Sequence, residues 1–351
     1  MVGNAIRSPG PDLAHIVRDC IKPHARAKTM GMDISELLRL NLLSPMVLAF
    51  FLGALAVWLK SDLTFPEGLY ATLSLYLLFA IGFKGGVELS HTSVQAIALP
   101  ALATLLLGLL TPVVAYFTAR RYLRLDEANA AALAAHYGSV SAVTFLAALS
   151  FVQASGHRAE GFMPTLVALL EVPGVILGIL LARRASRGGR LGEAIREVLT
   201  GKSVFLMVGG LWVGVLSGEE GMKKVEAFFV APFQGALTLF LLELGMVAAR
   251  RLADLRRLGV RLVLFGMAVP LLHGSVGLVL AKWAGLSLGG AVVLATMAAS
   301  ASYIAAPAAV RLALPQANPS LYLAAALGVT FPFNLLLGIP LYYATALRLW
   351  G

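Results

Sequence analysis

The chain has 351 residues, 59% hydrophobic and only 13% charged, with a mean hydropathy of +0.83. That balance excludes an ordinary soluble globular domain, whose composition is about half apolar and a quarter charged. The formal charge of +10 does not indicate nucleic-acid binding, because the basic residues lie between apolar segments and gather in no stripe; the single cysteine, Cys20, excludes an intramolecular disulfide and a CxxC metal motif.

Residues 1–40 form a polar tail carrying Arg7, Arg18, Lys22, Arg26, Lys28 and Arg39, without the apolar core of a signal peptide. From Leu42 onward the chain becomes a row of apolar segments of spanning length. They fall at 43–60, 68–83, 94–117, 128–151, 163–182, 203–217, 231–249, 261–281, 288–312 and 320–346. The second and sixth are short enough to be tilted or partly re-entrant. The pattern predicts an all-α polytopic membrane protein of ten transmembrane helices: a first five-helix half over 41–182, a basic linker over 183–202 and a second five-helix half over 203–351.

The halves match in order. Gly86 falls against Gly245 at an offset of 159, Ser139 and Ser141 against Ser300 and Ser302 at 161, and Leu177-Gly178-Ile179 against Leu337-Gly338-Ile339 at 160. An odd number of helices per half makes the second enter the membrane from the opposite side, which predicts an inverted repeat of the kind alternating-access transporters use. Sixteen basic residues fall in the loops after the odd-numbered helices and six on the other side, the tail excluded. The positive-inside rule then puts the linker in the cytoplasm and both termini outside. A basic tail outside conflicts with that rule, so translation is expected to start at Met30 or Met32.

Helices four and nine are interrupted, at Gly138-Ser139-Val140-Ser141-Ala142-Val143-Thr144 and at Ala299-Ser300-Ala301-Ser302-Tyr303-Ile304-Ala305-Ala306-Pro307. Small polar residues at membrane depth fit broken helices that line an enclosed cavity. A half-helix starting at a break offers free N–H groups to an anion, and one ending there offers carbonyls to a cation. Gly138, Ser139, Ser141, Thr144, Ser300, Ser302 and Tyr303 are therefore the substrate-site candidates; the alternative for the hydroxyls is back-bonding within a packed helix, and for Tyr303 plain packing. Glu171, in Leu170-Glu171-Val172-Pro173-Gly174, is an ion-coupling candidate together with Ser141 and Ser302, and the expected neighbour of a Na+ site; otherwise it is a buried carboxyl bonded to a hydroxyl. Lys84 and Glu243 occupy matching positions at offset 159 and are expected to form a gating ion pair, unless Lys84 snorkels to the outer interface. His136 and His273 are weaker candidates. No HExxH, GxSxG, Walker or dinucleotide fingerprint is present, so an enzyme is not expected.

Gly82-Phe83-Lys84-Gly85-Gly86, residues 138–149, Glu171-Val172-Pro173, Pro270-Leu271-Leu272-His273-Gly274 and residues 287–319, running into Leu314-Pro315-Gln316-Ala317-Asn318-Pro319-Ser320, together resemble the sodium-dependent bicarbonate transporter family, over about Leu42 to Ala346. The resemblance implies two inverted five-helix repeats, a core moving against a gate, a homotrimer in a bacterial inner membrane, and bicarbonate at the facing breaks with Na+ alongside as coupling ion and no other cofactor. It also implies matches of Gly138, Ser141, Thr144, Glu171, Ser300 and Ser302 to the family's site, and for some members control by a PII-like cytoplasmic protein. Tyr303 and Ala301 depart from the acidic residue and the serine of the cyanobacterial members. Two other functions stay open: a transporter of another small anion, such as a short carboxylate, coupled to H+ or uncoupled, and a membrane anion sensor that moves nothing.

Overall fold

The computed structural model describes residues 34–182 and 190–351. Residues 1–33 of the polar tail, the expected start at Met30 or Met32, and Arg183, Arg184 and Arg187 of the linker lie outside them, while 34–40, with Arg39, are described. Among the described residues all regular structure is helical.

Helix α1 (Ile34–Leu42) meets α2 (Pro45–Trp58) at a 64° bend. Pro45 sits in the first turn of α2, where its missing N–H costs nothing, and Ser44 Oγ accepts Val47 N at 3.3 Å. Then follow α3 (Glu67–Ser90), α4 (Val94–Thr118), α5 (Glu127–Tyr137), α6 (Ala142–Ala154) and α7 (Met163–Leu180). The second half runs through α8 (Leu191–Thr200), α9 (Lys202–Phe229), α10 (Phe233–Leu258), α11 (Val260–Trp283), α12 (Leu288–Ala299), α13 (Ala306–Ala313) and α14 (Pro319–Trp350), the last interrupted by π-helical turns.

Eight helical runs are long and apolar enough to cross a membrane, or nine if the bent pair α1–α2 is one crossing. The protein is a multi-pass membrane protein. The count departs from ten at the first segment, where α2 alone is too short, and at segment 288–312, because α12 stops at Ala299 and α13 starts only at Ala306, so neither piece has spanning length. Several segments run past their expected bounds, the seventh as far as Leu258. The second continues to Ser90, and the sixth continues to Phe229 past a kink at Gly218, whose φ of 59° and ψ of −163° only glycine adopts readily. Inside the linker, α8 is amphipathic, burying Ala194 and Val198, and Arg190 N donates to Leu312 O at 3.1 Å just ahead of it.

Helices α2, α3, α9 and α10 pack in two pairs, α3 on α9 and α2 on α10, and glycines set both contacts. A Cβ on Gly245 would fall 2.0 Å from Phe50 O, and one on Gly86 would fall 2.1 Å from Leu211 O. A Cβ on Gly53 would fall 1.8 Å from Leu242 O, and one on Gly214 would fall 2.2 Å from Phe83 O. Backbones this close leave no room for a side chain, which is how small residues let helices associate without a hydrophobic driving force between them. Against this group lie α4 with α5 and α7, and α11 with α12 and α14. Leu106, Leu110, Phe205, Trp212, Leu272 and Val279 are exposed, as a lipid-facing surface requires.

Two neighbouring glycines of α9 separate packing from propensity. Gly214→Ala is expected to destabilise by about 1–3 kcal/mol through overpacking. Gly209→Ala, with nothing within 4 Å of the added carbon, is expected to be neutral or stabilising by up to about 1 kcal/mol. Thermal unfolding in detergent checks both.

Candidate functional site

The interrupted helices cross at their breaks. Asp126 caps α5 by accepting Asn129 N at 2.9 Å, and the helix ends at Gly138. After the break, Ser141 has extended backbone and caps α6: its Oγ accepts Thr144 N at 3.2 Å and Thr144 Oγ1 at 2.9 Å. In the second half Ser287 caps α12 through Gly290 N at 3.1 Å, the backbone is extended at Ser300, and Ser302 Oγ accepts Ala306 N at 3.3 Å where α13 begins. Pro307 sits in the first turn of α13, where proline is preorganised for helix.

Each break hydrogen-bonds to the other. Ser302 N donates to His136 O at 2.8 Å. Ser141 N donates to Ser300 Oγ at 2.9 Å, and that hydroxyl donates to Met297 O at 2.8 Å. Ser141 and Ser302 stand 161 positions apart, as do His136 and Met297. The two contacts are thus one contact at the same offset, direct in one copy and relayed by Ser300 in the other.

Ser139, Ser141, Thr144, Ser300 and Ser302 are all buried and all belong to this crossing. Tyr303 is buried too, and its Oη, free of hydrogen bonds, faces Ser141. Gly138 is fixed by space: a Cβ there would meet Pro112 Cβ at 2.7 Å, and a Cβ on Gly174 would fall 1.7 Å from Gly138 O. Glu171 joins the crossing through its backbone, since Ser139 Oγ donates to Glu171 O at 3.1 Å. Its carboxylate points to α9, where Ser203 Oγ donates to Oε1 at 2.6 Å, while Oε2 is buried without a partner. Among the described residues no lysine or arginine is buried, and Glu171 is the one buried carboxylate residue; Glu243 is only partly buried, although its Oε2 is also covered and without a partner.

Lys84 and Glu243 do not form an ion pair. Lys84 Nζ lies 5.1 Å from the centre of the Phe233 ring, at the start of α10. Glu243 is ten residues further along that helix, about 15 Å at the α-helical rise, where it faces Tyr70 and Arg250. Symmetry of sequence position therefore does not bring the two charges together. His136 contributes its backbone carbonyl; its ring is held by Nδ1 donating to Ala132 O at 2.6 Å and stacks on Tyr322. His273 is buried in α11.

A sequence profile of the Na+-dependent bicarbonate transporter superfamily matches residues 45–347. The chain belongs to that superfamily. No curated protein is significantly similar to it. In this member of the superfamily, three supporting residues went unread in the sequence. Ser203 anchors Glu171. Thr330 Oγ1 donates to Gly266 O at 2.8 Å and accepts Tyr137 Oη at 2.6 Å; Gly266 O lies four residues before Pro270, whose missing N–H leaves that carbonyl open. Asn334 Nδ2 donates to Ala299 O at 2.7 Å. An amide and a hydroxyl in an apolar segment, and a proline inside another, were the available signals.

Ser300→Ala strips Ser141 N of its acceptor at a buried crossing. The variant is expected to lose about 1–3 kcal/mol of stability and to exchange the amides of 139–144 faster than wild type by hydrogen–deuterium exchange, with α4 unaffected.

Proposed function

We propose that the protein imports bicarbonate together with Na+ across a bacterial inner membrane by alternating access. One observation carries this: α6 and α13, the two half-helices that start at the breaks, begin at one crossing, and among the described residues no buried cationic side chain accompanies it. Helix N-termini attract an anion, but each supplies only a partial charge. An anion taken from water into such a site needs a counter-ion, and a mobile cation entering with it provides one. The carbonyl end of α5 and the free Oε2 of Glu171 would supply oxygen ligands for Na+. Bicarbonate suits the donors because it is small, planar and able to accept from N–H and hydroxyl groups on several sides; Ser141, Thr144, Ser300, Ser302 and Tyr303 would then orient it, the last through its unpartnered hydroxyl.

Alternating access is supported by the closed state of the crossing. A void of about 10 Å³ separates Ala142, Val143, Leu146 and Ile304 from Ser74, Leu77, Leu78 and Ile81 of α3 and Phe240 of α10. It has room for at most one water, so substrate enters only if these two surfaces separate. A larger cavity of about 390 Å³, lined among others by Asn41, Ser44, Ser150, Gln153 and Gln234, lies at one end of the same interface. The inverted repeat is supported by the paired glycine contacts: Gly245 on Phe50 and Gly86 on Leu211 correspond at offsets of 159 and 161, as do Gly53 on Leu242 and Gly214 on Phe83. Outward termini follow from the basic loops. A homotrimer and a PII-like regulator remain implications of family membership alone.

Labelled bicarbonate uptake into proteoliposomes tests the reading, at a pH where dissolved CO2 is minor. An inward Na+ gradient is expected to stimulate uptake, K+ replacement to abolish the stimulation, and Ser141→Ala to reduce it about tenfold or more, on the scale of one lost charge-assisted hydrogen bond. Glu171→Gln is expected to lose the Na+ dependence. Uptake driven by a pH gradient and indifferent to Na+ would instead establish proton coupling, and saturable binding without flux would establish a sensor.

A further inference from the structure

Asn334 lies outside both breaks, in α14, and is fully buried at 0% exposure. Its Nδ2 donates to the carbonyl of Ala299, the last residue of α12 before the chain turns extended at Ser300. The amide is itself fixed. A Cβ on Gly338 would meet Asn334 Oδ1 at 2.5 Å, and Tyr342 Oη, which donates to Pro270 O at 3.1 Å, stands 3.4 Å from the same oxygen. Asn334 opens a π-helical turn over Asn334–Gly338, a distortion that recurs at functional positions in membrane and soluble helices.

The first break is held in another way. Gly138 stands 161 positions before Ala299, and Gly174 stands 160 positions before Asn334. Gly174 brings its Cα against Gly138 O, where a Cβ would fall at 1.7 Å, and offers no side-chain donor. The same contact between break and following helix is therefore apolar in the first half and a hydrogen bond in the second. The bond has a consequence for the site. Ala299 O fixes the entry to residues 300–305, and within that stretch Ser300 Oγ holds Ser141 N, Ser302 N holds His136 O, and Ser302 Oγ caps α13. One amide thus orients both hydroxyls and the N-terminus of α13.

We propose that Asn334 is a positioning residue of the transport site, setting the 300–305 turn so that the N-terminus of α13 is aimed at the anion. The link to the anion rests on the function proposed above; the hold on the turn does not. Without the amide, residues 300–305 gain freedom, and binding the anion must restrict it again, so affinity falls while the rate of the loaded transporter changes little.

Two variants test this. Asn334→Asp keeps the shape and removes the N–H; Asn334→Ala removes both and carries the test alone should the buried carboxylate prevent folding. In proteoliposomes, the bicarbonate concentration for half-maximal uptake is expected to rise about tenfold, with the maximal rate within about twofold of wild type. Hydrogen–deuterium exchange on the same samples reads the turn without substrate, and faster exchange at 300–306 with wild-type exchange at 138–144 is expected. Unchanged exchange at 300–306 overturns the positioning role whatever ion is carried. Faster exchange with an unchanged half-saturation concentration overturns the link to the anion. A wild-type protein that takes up no bicarbonate counts against the proposed function alone, and exchange then decides the role of Asn334.

Discussion

The structure depends on how two interrupted helices satisfy their backbone where no water is at hand. A broken helix at membrane depth exposes N–H and C=O groups, and each left unpaired costs several kcal/mol. Here each break is completed by the other. Ser302 N reaches His136 O, and Ser141 N reaches Met297 O through the Ser300 hydroxyl. Neither half can hold its own break in this form, so the crossing requires both halves to be folded and in register. The outer contacts obey the same logic: Ser287 N donates to Glu160 Oε1 at 2.6 Å, and Asn318 N donates to Asn129 Oδ1 at 2.8 Å, each tying the start of one interrupted helix to a loop from the opposite half.

That solution creates the functional opportunity. Residues whose backbone groups are spent on each other make a rigid crossing, and the helix starts beside it keep N–H groups to spare. A lysine or arginine would bind an anion more strongly, but it would also hold it after the site opens on the other side. Partial charges from helix ends, together with a counter-ion that leaves with the substrate, bind and release more evenly. Glycine contacts as close as Gly214 on Phe83 bring α3 against α9 and α2 against α10 backbone to backbone, whereas the surface facing the crossing is made of side chains, Ser74, Leu77, Leu78, Ile81 and Phe240, with no such backbone contact among them. The alternating access proposed above would place its moving surface at the second interface and not at the first.

Much of this was legible in the sequence. Hydropathy gave the helices, and clustered serines at matching offsets marked Ser139, Ser141, Ser300 and Ser302, because polar residues at membrane depth are rare enough to be read singly. The expected pairing of Lys84 with Glu243 does not form, since matching positions in two halves need not face each other: Lys84 extends to Phe233, and ten residues of helix separate that ring from Glu243. The second half of the site was also under-read. Asn334 and Thr330 act through carbonyls of Ala299 and Gly266, and a carbonyl carries no sequence label. Only Pro270 hinted that one such group was open. The break at 299–307 was legible, but segment 288–312 reads as one spanning helix, whereas the non-helical residues 300–305 leave α12 and α13 both too short to span the membrane.

The two breaks, alike in sequence, differ in electrostatic character, and the difference bears on which ion each would favour. Around the second break the donors dominate: Asn334 covers the carbonyl of Ala299, and Ser300 covers that of Met297, so two of the acceptors that α12 would offer a cation are already occupied. Around the first, His136 O is likewise taken, by Ser302 N, but Gly138 O faces the Cα of Gly174 where Ala299 O faces an amide, and the carboxylate of Glu171 lies on the same helix as that glycine, one turn earlier, with one oxygen unpartnered. Acceptors therefore remain on the α5 side and donors are concentrated on the α13 side. A cation drawn to the first and an anion drawn to the second would sit next to each other across the crossing, each lowering the cost of burying the other. An approximate two-fold arrangement with identical breaks would have no such polarity; substituting an asparagine for a glycine in one half, and inserting one hydroxyl into one of two equivalent hydrogen bonds, is enough to supply it.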